Sequence, residues 1–312
     1  MNNKIIVLVG PTAVGKTYVS VELAKRFNTE IISADSMQIY KGMDVGTAKI
    51  TEEEKQNIVH HMIDIINPDD VYSVSDFKIE SEKIIDRILS EKKFPIIVGG
   101  SGLYVNSLIY DLDFGKAKSD NNVRQYYTDL YHEHGGEYLY DMLKDVDAEA
   151  AEKIHKNNVK RVMRALEVHH ITGRKFSENS TDIRKQSDKY DCILIGLSMD
   201  RKILYERINE RVEKMLSEGL VEEVKGLLDN GYDKNLVSMQ GIGYKEIIDY
   251  LDGSSTYEEA VNILKRNTRR FAKRQFTWFS NDNNVKWFNI PSVDKIDNTV
   301  EEIYKYVLSL EK

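Results

Sequence analysis

Three short segments carry the residue types and spacings on which chemistry could be built. Gly10-Pro11-Thr12-Ala13-Val14-Gly15-Lys16-Thr17 has the spacing G-x-x-x-x-G-K-[ST]. Gly10 and Gly15 permit a turn that aims successive backbone N–H groups at one anion, Lys16 adds an ammonium, and the following helix adds its dipole. The Thr17 hydroxyl is placed to help hold Mg²⁺ on bound phosphates, so all eight residues are expected to bind a phosphorylated ligand. In Asp35-Ser36-Met37-Gln38 the carboxylate can take a proton while Ser36 and Gln38 can read an amide-like or base edge. A turn or helix-capping Asp is the bland alternative there. Arg207 and Arg211 stand one helical turn apart on one expected helix face with Lys214 beside them, and a surface ion pair with the nearby Glu210 and Glu213 is the plain reading of Arg211.

An enzyme that moves a phosphoryl group on such a loop normally has a magnesium-binding carboxylate at the end of a second apolar strand. The best second strand, Ile96-Ile97-Val98, runs instead into Gly99-Gly100-Ser101-Gly102. A small-molecule or nucleotide kinase is therefore the alternative reading rather than the first one, and a nucleotide-sensing RNA-binding module is a further rival.

The net charge of −7 hides clustered cations. Lys265, Arg266, Arg269, Arg270, Lys273 and Arg274 fall within ten residues without an acid among them, and Lys156, Lys160 and Arg164 recur at helical spacing with Arg161 alongside. A polyanion could dock on such a polarised surface, with solvated helix faces as the plain alternative. The spacing of Phe276, Trp278 and Phe279 fits a buried helix face, so core filling is expected of them rather than base stacking. His60-His61 reads as packing or hydrogen bonding near a strand start. The single cysteine, Cys192, excludes an internal disulfide and a cysteine-based zinc site and reads as a buried strand residue.

Positioning these residues requires strands and helices in alternation. Strands are expected at Ile5 to Val9, Glu30 to Asp35, His61 to Ile65 and Pro95 to Val98, with helices after the loop and over Ser75 to Ser90. Residues 113 to 187 are helical, charged and tyrosine-rich, with polar joins at Lys116 to Asn122 and Ser177 to Ser187. Tyr190 to Leu197 returns to strand, followed by helices at about 201–217, 220–229, 243–252, 256–279 and 293–310 and a strand near Val285 to Phe288. The fold class implied is α/β: a P-loop NTPase-like parallel sheet flanked by helices, with an inserted helical domain. The expected division is 1–112 for the first part of the core, 113–187 for the insertion and 188–312 for the return and C-terminal helices.

With 312 residues, 41% hydrophobic and 30% charged, the chain has the composition of an ordinary globular protein. No apolar run approaches a membrane span, and the first strand begins too early to leave room for a secretory signal. A cytoplasmic location, a monomer and no membrane partner are the expectations.

Several motifs in order also resemble one family. They are Gly10-Pro11-Thr12-Ala13-x-Gly15-Lys16-Thr17, Asp35-Ser36-Met37-Gln38-Ile39-Tyr40 through Gly46-Thr47-Ala48-Lys49, Gly99-Gly100-Ser101-Gly102-Leu103-Tyr104, Arg161 through Val168, Gly241-Ile242-Gly243-Tyr244, and Lys273-Arg274-Gln275-x-Thr277-Trp278. The matches lie in order over nearly the whole chain, from about residue 4 to 290, and are similar to bacterial tRNA dimethylallyltransferases. The resemblance implies transfer of a five-carbon prenyl group from dimethylallyl diphosphate to N6 of adenosine 37, beside the anticodon of tRNA, with Mg²⁺ as cofactor. It makes Asp35 the general base and Arg211 the catalytic arginine at the leaving diphosphate. It assigns tRNA contacts to Asp35, Ser36, Met37, Gln38, Ser101 and Arg124, to Lys160, Arg161, Val162, Met163 and Arg164, to Gln240, Gly241, Ile242, Gly243, Tyr244 and Lys245, and to Lys273, Arg274, Gln275, Thr277 and Trp278. The chain departs from the family pattern at Lys160, where Gln is common, and at Gln240, where Arg is common. With one cysteine in the sequence, a C-terminal zinc finger like that of eukaryotic relatives is not expected.

Overall fold

Residues 3–112, 120–180 and 185–310 are described by the computed structural model. The polar joins expected at 116–122 and 177–187 lie partly outside them. Two compact units result, one formed by Met1–Ile109 with Ser187–Lys312 and the other by Tyr110–Gln186.

The first unit is built on β1 (Lys4–Val9), β2 (Ile31–Ala34), β3 (His60–His61), β4 (Ile96–Gly99), β5 (Asp191–Met199) and β6 (Lys286–Ile290). These form one sheet in the order β3-β2-β4-β1-β5-β6, and every pairing is parallel. A parallel sheet is covered on both faces, which is why β1 reads Ile-Ile-Val-Leu-Val and all five residues are fully buried. The covering helices are α1 (Lys16–Phe27), the short α2 (Glu52–Lys55), α3 (Val74–Ser90) and α4 (Gly102–Ile109) in the first stretch. The second unit contributes α5 (Asn121–Val146), α6 (Ala148–Lys153) and α7 (Val159–Thr172). After β5 come α8 (Arg201–Ser217), α9 (Leu220–Asp229), α10 (Tyr244–Leu251), α11 (Tyr257–Ser280) and α12 (Ile296–Ser309).

Local chemistry sets the ends of these helices. α3 and α11 both open with a capping box, Ser73 with Asp76 and Thr256 with Glu259, in which each side chain answers the other's backbone N–H. One apolar core joins Leu8, Val19, Leu23, Ile195, Ile208, Ala272, Ile290 and Val300, so sheet, α1, α8, α11 and α12 bury their apolar faces together. Register aligns the ends of three strands: Val9 and Ala34 both pair with Gly99. Gly10, Gly100 and Asp35 therefore leave adjacent strands at one level.

Two elements differ from the sequence reading. The strand expected at His61 to Ile65 is only His60–His61, because Met62 and Asp64 turn to φ 63° and 55° and break the extended run. The chain then returns beside Tyr40, with Ile65 and Ile66 N–H both donating to the Ile39 carbonyl. The last helix starts three residues late, after a 3₁₀ turn at Val293–Lys295.

In the second unit, Tyr127, Leu139, Leu143, Val162, Ala165 and Leu166 form a separate core. α5 is broken at Gly135, whose φ of 82° and ψ of 175° no helix contains.

Candidate active site

The phosphate loop spans the end of β1 and the start of α1. Gly15 caps α1 at φ 107°, a left-handed conformation that favours glycine, and no side chain caps the helix and no acid stands in its first turn. Lys16 folds back so that its Nζ donates to the carbonyls of Gly10 and Pro11, each at 2.9 Å. Thr17 is exposed at the same helix end.

α8 brings two arginines to this loop. Arg207 Nε donates to the Ala13 carbonyl at 2.8 Å, and Arg211 Nη1 donates to Thr12 Oγ1 at 3.3 Å. Arg211 thus faces the cradle rather than the neighbouring glutamates. Glu213 instead pairs with Lys265. Burial pushes the Lys16 ammonium down to about 8, with the charge of Asp35 opposing the shift and that of Arg211 adding to it. Burial likewise lowers Arg211, again against the pull of Asp35. The carboxylate, lysine and arginine therefore share one electrostatic environment.

Asp35 follows β2 directly, two strands from the cradle. Its Oδ1 accepts the Met37 N–H at 2.9 Å, which holds Asp35 to Met37 in a tight turn. Ser101, just past β4, steadies the turn: its Oγ accepts the Ser36 N–H at 2.9 Å and lies 3.1 Å from Ser36 Oγ. Gln38 accepts from Ser33 Oγ at 3.1 Å. Met37 packs against Gly241, where an added Cβ would come within 2.4 Å of the Met37 methyl. The Asp35 to Gln38 turn, Ser101 and Gly241 are thus brought together.

α11 closes the same edge. Arg270, Lys273, Arg274, Thr277, Trp278 and Asn281 line a groove of about 550 Å³. Trp278 lies over Gly102, and Arg274 sits 5.7 Å above the Phe271 ring. Core filling holds for Phe279 at 3% exposure but not for Trp278 at 45% or Phe276 at 42%. Three positions so close along one turn cannot all face inward, and Phe276 instead packs on Trp287 near the surface.

Other expected contact residues are placed differently. Gln275 and Tyr244 are buried, at 5% and 0% exposure. The Tyr244 hydroxyl donates to Glu223 at 2.6 Å, and the same carboxylate accepts the N–H groups of Asp44, Val45 and Gly46. Glu223 was not singled out by its sequence position, an ordinary acid in the first turn of a helix. Gln240 and Lys245 are exposed, Gln240 donating to the Lys234 carbonyl at 2.7 Å. In the second unit, Lys160 and Arg161 are exposed while Val162 is buried and Met163 packs against the core. Arg124 and Arg164 both donate to the buried Glu167.

The histidine doublet bonds locally, His60 Nδ1 to the Ile58 carbonyl at 2.9 Å and His61 Nε2 to Glu30 at 2.6 Å. Cys192 is half-buried on β5, and burial pushes its thiol up to about 12, far from reactivity. Among the described residues no cluster of three or more His, Cys, Asp and Glu could hold a metal ion, and no helix is long and apolar enough to cross a membrane.

A six-stranded parallel sheet with a phosphate loop on its central strand, facing a carboxylate at another strand end, defines a P-loop-type α/β protein. A family model described as IPP transferase matches residues 38–282, and the chain belongs to that family. It is 52% identical over 305 residues to a tRNA dimethylallyltransferase of Alkaliphilus oremlandii, covering 98% of this chain and 97% of that protein. A Clostridioides difficile protein of the same name is 50% identical over 97% of each. The crystal structure of a tRNA isopentenylpyrophosphate transferase from Bacillus halodurans superposes with a TM-score of 0.74 at 46% identity, covering 99% of this chain and 96% of that one. A eukaryotic dimethylallyltransferase caught acting on tRNA superposes with a TM-score of 0.83 at 28% identity, covering 96% and 77%.

Proposed function

We infer that this chain transfers the dimethylallyl group of dimethylallyl diphosphate to N6 of adenosine 37 in tRNA and releases diphosphate. The observation that carries this reading is the level register of β1, β4 and β2. It sets the anion cradle and Asp35 two strands apart, about 10 Å across the sheet, a gap suited to a diphosphate with a short prenyl chain. The strand between them ends in glycines and Ser101.

In the reaction the bond between the donor's C1 and its diphosphate oxygen breaks, and a bond from C1 to adenosine N6 forms. Negative charge builds on the leaving diphosphate, where Lys16, the bare amides at the start of α1 and Arg211 stabilise it. The exocyclic amine is a poor nucleophile because its lone pair is drawn into the purine, so removal of its proton by Asp35 as the bond forms lowers the barrier. The adenosine must leave its stack to reach that carboxylate, and Ser36, Met37 and Gln38 line the place it enters. The α11 groove with Lys273, Arg274, Thr277 and Trp278 offers cations for RNA phosphates and an exposed indole for stacking.

Thr17, exposed at the start of α1, would help hold a Mg²⁺ carried on the diphosphate. Held there by Thr17, the ion would supply positive charge to the diphosphate. Both substrates meet one chain, and we propose a monomer working in the cytoplasm.

Incubation with dimethylallyl diphosphate and unmodified tRNA, followed by nucleoside mass analysis, tests the reading. N6-prenyladenosine is expected, and Asp35→Asn is expected to reduce its formation by about a thousandfold while tRNA still binds. ATP-dependent phosphorylation without prenyl transfer would overturn it in favour of a kinase.

A further inference from the structure

The cradle and Asp35 stand on different strands, and one buried side chain connects them. Gln275, on α11, is 5% exposed. Its Oε1 accepts the Thr12 N–H at 2.8 Å, and its Nε2 donates to the Gly100 carbonyl at 3.1 Å. Both partners are backbone groups of fixed polarity, so the orientation of the amide is dictated and both of its ends are used. On one side, Thr12 Oγ1 receives Arg211. On the other, the residue after Gly100 is Ser101, which holds Ser36. A continuous path of bonds and one-residue steps thus runs Arg211, Thr12, Gln275, Gly100, Ser101, Ser36, Asp35. Gly100 is adapted to it, since a Cβ there would lie 2.0 Å from Gln275 Nε2.

We propose that Gln275 is a positioning residue that fixes the diphosphate cradle and Arg211 relative to Asp35, rather than an RNA contact. The proposal rests on the transfer reaction inferred above. Only glutamine meets the need: glutamate keeps the acceptor for Thr12 but loses the donor for Gly100, and methionine keeps the length but loses both. Both ends of the buried side chain are spent on protein backbone, so its loss is expected to loosen the geometry of the reacting atoms more than it weakens binding.

The test compares wild type with Gln275→Glu, Gln275→Met, Gly100→Ala and the Gln275→Met/Gly100→Ala pair. Single-turnover prenyl transfer gives the rate, filter binding gives tRNA affinity, calorimetry gives donor affinity and thermal melting reports folding. The expected result is a transfer rate lowered about tenfold to a hundredfold in each single variant, with both affinities within about threefold of wild type. The double variant is expected to lose no more than the worse single, since both changes break the same link. An unchanged rate in folded Gln275→Glu overturns the proposal. So does a tRNA affinity weakened tenfold or more at an unchanged rate, which would make Gln275 an RNA contact. If Gln275→Met does not fold, Gln275→Glu and Gly100→Ala carry the comparison. A wild-type protein that makes no prenyladenosine would overturn the assigned reaction itself, an outcome distinct from any of these.

Discussion

Lys16, Arg207 and Arg211 in the cradle donate to neutral oxygens, those of Gly10, Pro11, Ala13 and Thr12, whereas Arg124 and Arg164 in the helical unit close on the buried carboxylate of Glu167. Both regions gather cations from segments far apart in sequence. In the cradle the positive charge is held in place without a carboxylate bonded to it, at an energetic cost visible in the lowered lysine. In the helical unit it is cancelled where it stands. Cations kept unneutralised and partly desolvated are poised for an arriving anion, while cations bonded to a buried acid mainly hold helices together.

The sharpest way to break this comparison is to remove a cradle cation. Arg211→Ala is expected to lower the transfer rate by about a hundredfold to a thousandfold, because its partner charge develops only as the diphosphate departs. Affinity for the donor in the ground state is expected to change much less. Steady-state kinetics with calorimetry separate the two, and an equal loss in both would make Arg211 a plain binding residue.

In the helical unit the same logic predicts lost stability instead of lost chemistry. Glu167→Ala leaves Arg124 and Arg164 facing each other without the shared acid. The side chain of Glu167 is 5% exposed but that of Arg124 is 51% exposed, so solvent screens part of the penalty. A loss of about 2 kcal/mol in urea unfolding is expected, below the range for breaking a fully buried pair. Donor affinity is expected to stay at the wild-type value. A fall in donor affinity with stability intact would reverse the roles given to the two regions.

Lys16 supplies a pH test. Its ammonium in the free protein titrates at about 8 instead of 10.5, and a bound diphosphate raises it again. Donor affinity is therefore full below pH 8 and falls up to tenfold per pH unit above it, until the pH passes the value of the complex. For folding the sign is opposite. The native state holds fewer protons than the unfolded chain between about 8 and 10.5, so this group's contribution to stability improves as pH rises through that window. Lys16→Met is expected to flatten the affinity profile in calorimetry; an unflattened profile would move the titration to another group.

How much of the fold and site was legible in the sequence depends on how local each interaction is. The phosphate loop, the strands β1, β4 and β5 and the strand-end position of Asp35 follow from contiguous patterns, because a buried parallel strand and a glycine-turned loop announce themselves within ten residues. The pair of hydrogen bonds made by Gln275 does not, since its partners Thr12 and Gly100 lie 263 and 175 positions away. Nor does the role of Glu223, whose three backbone donors sit in a loop about 178 positions earlier. The charge pattern of α7 showed a basic stripe but not that Glu167, three residues past Arg164, turns inward to neutralise it. Helical spacing placed three aromatics on one face, yet only Phe279 of the three is buried.

The smallest expected effect compares two cations that resemble each other in sequence. Lys273 lines the open α11 groove, whereas Arg124 makes two bonds to Glu167. Neutralising one RNA phosphate releases about one counterion, so Lys273→Ala is expected to lower the salt slope of tRNA binding by about 1. Arg124 brings little net charge to a phosphate while Glu167 holds it, so Arg124→Ala is expected to change the slope by less than half as much. Filter binding across a series of salt concentrations measures both slopes on the same tRNA. Equal slopes for the two variants would show that pairing with a buried acid does not withdraw an arginine from the RNA, and the distinction between poised and cancelled cations would then fail at the surface even if it held in the cradle.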